Sequence, residues 1–130
     1  MRNYTDPVYR PTVTIANGAS SSSSIVNTSV GARGIAVIVP AVWTGANLGL
    51  EISLDNGTTW VPVRNEEGKV VRITNIKTAE ASLYVYPAAS WQVGVAPLIR
   101  LTSLDTGAAD TDFTAQNQGA ARTLTVLLLS

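Results

Sequence analysis

The side chains that most often carry covalent and acid–base chemistry are missing from this sequence, which holds no histidine and no cysteine. That removes the commonest general base, the Ser-His-Asp and Cys-His arrangements, and zinc or haem ligation through imidazole or thiolate. Disulfides go with them, so the redox compartment is unconstrained. Carboxylates remain. Asp110 with Asp112, and Glu66 with Glu67, are pairs of the type glycoside hydrolysis needs, but both fall in apparent loops with no partner placed across a cleft. They read as solvated loop charges. Asp105, Asp110 and Asp112 with Gly107 offer the oxygen ligands that calcium takes, yet their spacing does not follow the EF-hand loop, and an ordinary polar loop is expected. No glycine-rich phosphate loop is present. These residues argue against an enzyme, and no metal or other cofactor is expected.

The sharpest local pattern is Ser53-Leu54-Asp55-Asn56-Gly57-Thr58-Thr59-Trp60. It fits the Asp-box, S-x-D-x-G-x-T-W, found in sialidase propellers and in many unrelated β proteins. Its mechanics are those of a hairpin. Asp55 can accept bonds from turn amides, Asn56 and Gly57 tolerate positive φ, and Trp60 packs beneath the loop. A propeller would need the pattern repeated, and there is one copy. Trp43, Trp60 and Trp91 raise the question of a flat aromatic platform for sugars. Trp43 follows Pro40 and Trp91 follows Pro87, so both are expected to plug strand ends, with their N–H groups at the wet rim.

The elements that must position these residues are strands. In Leu48-Gly49-Leu50-Glu51-Ile52-Ser53-Leu54, apolar residues alternate with small or polar ones. One face therefore points into a core and the other away from it. The same alternation runs through Val13 and Ile15, through Ile35, Val37 and Val39, and through Leu124, Val126 and Leu128. Glycine- and proline-bearing turns separate the segments, no helical stripe appears, and the spacing predicts an all-β, two-sheet sandwich of jelly-roll type with about eight or nine strands. Residues 1–11, with Pro7, Pro11, Tyr4 and Tyr9, are expected to form an extended arm before a single domain spanning 12–130. Ser20–Ser24 reads as a surface loop or polar edge. Leu104–Ala120 reads as a long loop of the kind that is either functional or mobile. In the last strand Leu127 and Leu129 point away from Leu124, Val126 and Leu128, leaving an apolar back face that a folded-back arm or a neighbouring subunit would cover.

Composition points toward assembly. Charged residues make up 14% of the 130, against about 25% for ordinary soluble domains, so part of the surface is expected to be buried by a partner. Nine cationic side chains balance nine anionic ones and are scattered, which argues against a nucleic-acid-binding face. The N-terminal residues lack the apolar stretch of a signal peptide, and no run is long enough to cross a bilayer as a helix, so neither export by that route nor membrane insertion is expected.

Several segments taken together resemble a family of small β proteins from tailed-bacteriophage virions. They are Gly34–Pro40 followed by Trp43–Leu48, then Ser53–Trp60, Pro97–Ser103 and Ala121–Leu124, spread over about two-thirds of the chain. The resemblance implies a non-enzymatic capsid decoration, or cement, protein. Such a protein binds the major capsid protein lattice on the virion surface after synthesis in the host cytoplasm, and forms trimers or dimers. On that reading Tyr4, Pro7, Tyr9, Arg10, Leu127 and Leu129 are the partner-binding candidates, and Asp55, Asn56, Gly57 and Trp60 are structural. A similar order of turn and late strand occurs in discoidin-like carbohydrate-binding jelly rolls, of which Leu98-Ile99-Arg100-Leu101 keeps only part. The alternative it suggests is a carbohydrate-binding, tail, fibre or adaptor module of the virion.

Overall fold

Burial alternates along most strands of the protein, and that alternation sorts them into two facing sheets. The computed structural model describes residues 8–26, 34–87 and 97–129. Among these residues there are ten strands and no helix: β1 (Val8–Tyr9), β2 (Thr12–Ile15), β3 (Ile25–Val26), β4 (Gly34–Val39), β5 (Asn47–Ser53), β6 (Val61–Pro62), β7 (Arg72–Ile73), β8 (Ser82–Val85), β9 (Leu98–Leu104) and β10 (Arg122–Leu129). All pairings are antiparallel. In the first sheet β10 lies between β4 and the β1–β2 edge, and β8 closes the far side of β4. In the second, β9 lies between β3 and β5, and β6 and β7 both pair the far side of β5. The protein is a two-layer β-sandwich.

Two of the edges are single tracks interrupted in different ways. β1 and β2 pair β10 in one continuous register, Val8 opposite Leu129 through Ile15 opposite Arg122. Pro11 sits between them with its carbonyl accepting from Val126 N–H at 2.8 Å. Proline lacks an N–H, so one return bond is lost and the strand is broken without leaving the sheet. Residues 8–11, expected to end a separate arm, therefore run in the plane of the first sheet and cover neither of its faces. β6 and β7 are divided instead by a small hairpin, residues 64–71, closed by the Arg64–Val70 bridge and by Val71 N–H bonding Val63 O.

The core is built from the inner faces of both sheets. Ile15, Val37, Leu48, Leu50, Ile99, Leu101, Leu124, Val126 and Leu128 are fully buried in one cluster. Trp43 is buried with its Nε1 donating to Ala46 O at 3.2 Å, an end plug satisfied by backbone rather than by water. Tyr86 crosses the core to donate its hydroxyl to Gly49 O at 3.1 Å, and burial pushes its phenol far above the ordinary tyrosine range.

The serine run does more than cap an edge. Ser22 N–H bonds Leu101 O and its hydroxyl accepts from Leu101 N–H, on β9. Ser23 N–H bonds Thr14 O and its hydroxyl accepts from Thr14 N–H, on β2. The run thus laces one sheet to the other where the chain crosses between them. Small hydroxyl side chains suit that crossing because they stand in for ladder bonds the backbone cannot supply.

Candidate interaction surface

Three strands of the first sheet assemble an apolar platform on its outer face. Register places Leu127, Ala36 and Val85 in one row, and Thr125, Ile38 and Leu83 in the next. Leu83 is 55% exposed, Val85 68% and Ile38 39%, whereas Ala36 is buried between its larger neighbours and Leu127 is half-buried. Toward the β2 edge the same face turns polar, with Thr12, Thr14 and Thr123 exposed. The sequence located the back face of β10 at Leu127 and Leu129, and the wider platform on β4 and β8 emerges only with the register. Leu129 pairs Gly34 and Val8 through its backbone. Its side chain, with Tyr4, Pro7 and Trp91, lies outside the described residues. Tyr9 and Arg10 are exposed at the β1 edge, and the continuous register sets Arg10 opposite Leu127, so a cation borders the platform on that side.

The Asp-box turn follows its local code. Asn56 and Gly57 take φ of 61° and 91°. Asp55 Oδ1 accepts from Thr59 N–H at 2.8 Å and from the Ser53 hydroxyl at 2.9 Å, and those bonds hold its carboxyl below the ordinary range. Ser53 Oγ in turn accepts from Gly57 N–H at 2.8 Å, and Trp60 Nε1 donates to Gly57 O at 3.1 Å. Four bonds between residues of the turn close it. The motif acts as a hairpin clasp.

Beside the clasp lies a cluster that sequence reasoning missed. Glu51 on β5 faces Arg100 on β9, with Oε1 accepting from Arg100 Nε at 3.0 Å and from the Thr102 hydroxyl at 2.6 Å. The guanidinium lies 4.4 Å above the Trp60 ring, a cation–π contact that fills one face of the indole. Arg100 thus occupies one face of the half-buried Trp60, and Trp43 is buried and offers no flat platform to a sugar. The signal was present as alternation, since Glu51, Arg100 and Thr102 occupy outward positions, but pairing them requires the register.

The long loop is tied down rather than open. Asp105 N–H bonds Thr114 O, Gln116 N–H bonds Ser103 O, and Val70 N–H bonds Asp110 O. Gln118 is buried, accepts from Thr44 N–H and Arg122 Nε, and donates to Thr44 O. The loop's carboxylates are dispersed: Asp105 caps Gly107 N–H, and Asp110 lies 3.8 Å from Lys69. Among the described residues no three acidic side chains gather as a metal site would require. No family model, curated protein or solved structure matches the chain.

Proposed function

We propose that the protein is a non-enzymatic structural protein of a tailed-phage virion, a capsid decoration protein that binds the major capsid protein lattice. The observation that carries this reading is the apolar platform of Ile38, Leu83, Val85 and Leu127, displayed on a sandwich with few charges. Contiguous apolar surface on a soluble domain marks a place where another protein sits. The virion resemblance names the class of partner. Jelly-roll type is supported by the strand order: counting β1–β2 and β6–β7 as one track each, the sheets read 1-8-3-6 and 2-7-4-5, the alternation of two interleaved Greek keys. Self-association into dimers or trimers through the β1 edge or the platform belongs to the same reading.

The mechanism is thermodynamic. A protein that binds the expanded lattice and not its precursor stabilises the mature shell by mass action, and repeated copies add through effective concentration. Counting copies in purified virions tests the proposal. Several hundred copies, with saturable co-sedimentation on expanded capsids, support it. A count near that of a ring or fibre base sinks decoration in favour of a tail or adaptor role. Removal of residues 1–7 tests the arm's contribution more cleanly than removal of 1–10, because Val8 and Tyr9 are strand residues of the first sheet.

A further inference from the structure

A second site lies on the opposite sheet, where polar groups converge without partners. A groove of about 240 Å³ is lined by Asn47, Arg72, Thr74, Asn75, Ile76 and Thr106. Register explains the convergence. Leu48 opposite Ile73 and Gly49 opposite Arg72 place Asn47 across from Thr74, with Arg72 diagonal to it on the same outward face. Thr106 comes from the turn after β9, which ends at Leu104 opposite Asn47.

Asn47 is only 5% exposed, yet among the described residues its side-chain amide makes no hydrogen bond. A buried amide left unpaired costs free energy that a ligand or ordered water recovers. Arg72 is half-buried and forms neither an ion pair nor a side-chain hydrogen bond among the described residues, and no carboxylate lines the groove. Asn75 sits at the groove's margin with a left-handed φ of 59°, which asparagine tolerates. Its amide reaches only the neighbouring Thr74 hydroxyl, at 3.4 Å.

We propose that this groove binds a carboxylated sugar. A guanidinium without a counter-charge matches one carboxylate through two parallel bonds. The remaining lining groups, two amides and two hydroxyls, both donate and accept, as sugar hydroxyls do. A zwitterionic amino acid would leave its ammonium uncompensated, because no acidic side chain is present. The groove's size admits one ring. The site goes beyond the decoration role, since it faces away from the apolar platform and needs no capsid.

Amide-resolved NMR titration of the full chain tests it. The probes are glucuronate, galacturonate and N-acetylneuraminate, the methyl glycoside of each, and glucose and acetate as controls. Saturable shifts at Asn47, Arg72 and Thr106 are expected with at least one acidic sugar, at an affinity at least about tenfold above both controls. Binding of the glycoside identifies a residue within a polysaccharide as the source, and binding of the free acid only identifies a free sugar acid. R72Q, with an unchanged melting transition, is expected to weaken binding about tenfold or more, and T106V about threefold. The proposal is overturned by no saturable shift with any acidic sugar. It is equally overturned by acetate or glucose binding as tightly, or by R72Q leaving the affinity unchanged.

Discussion

The two outer faces of this sandwich solve the same problem in opposite ways. Over the middle of the second sheet, the chain covers itself. Phe113 and Leu104 close over Gly49 so tightly that an added Cβ would lie 2.9 Å and 2.7 Å from their side chains. Glu51, Ser53, Thr102 and Leu104 are buried there although they occupy outward positions. The first sheet has no such cover among the described residues. Its outward positions keep Leu83, Val85 and Ile38 in solvent. A domain able to wrap one face with its own loops, yet leaving the more apolar face bare, has that bare face free for another molecule.

Breaking the covered face should give the largest effect. Glu51→Ala strips Arg100 and Thr102 of their shared acceptor in a largely buried setting, and a loss of about 2–4 kcal/mol is expected from the urea midpoint. Gly49→Val follows, at about 2 kcal/mol by thermal unfolding, because the new side chain must displace Phe113. It should also speed exchange of the Val70 amide, whose acceptor is Asp110 O on the displaced loop. If that amide stays protected, the loop is not held through Gly49.

These two variants also mark where sequence reading ran out. The alternation that identified Leu124, Val126 and Leu128 as core is written in adjacent residues, and the Asp55 clasp is written within eight. Both were legible. The Glu51–Arg100–Thr102 cluster joins residues that are far apart in the chain, and only the register of β5 against β9 brings them together. Gly49 read as a small outward residue, whereas its smallness is what admits Phe113. Pro11 read as the end of an arm, because proline interrupts a central strand. At an edge its carbonyl still serves, so the strand continues to Val8. The platform was half visible, since β10 announced its own back face but not that Ile38, Leu83 and Val85 would extend it.

The bare face should answer differently. Leu83→Lys combined with Val85→Lys changes two exposed positions, and folding stability is expected to move by about 0.5 kcal/mol or less. Self-association, followed by analytical ultracentrifugation, and co-sedimentation with expanded capsids should both collapse. Unchanged assembly with both lysines in place would show that the platform is ordinary surface and that the contrast between the faces has no functional meaning.

The smallest effect belongs to the Asp55 clasp, and it sharpens the comparison by isolating a local element from both faces. The Asp55 carboxyl is held below the ordinary aspartate value of 3.8, first by the Thr59 N–H and then by the Thr59 and Ser53 side chains. A carboxylate whose folded value is depressed stabilises the fold above the unfolded value, and that contribution is lost as pH falls through the folded value. The group is solvent-exposed, so the change should be confined to the hairpin. Acidification below about pH 3.8 should therefore shift the Thr59 and Gly57 amide resonances while Leu101 and Val126 stay in place. Asp55→Asn should remove that titration, because an amide oxygen can still accept from Thr59 N–H but carries no proton to gain. A Thr59 amide that ignores pH until the whole domain unfolds would mean that the clasp closes without the carboxylate's charge. The turn would then rest on Asn56, Gly57 and the Trp60 bond.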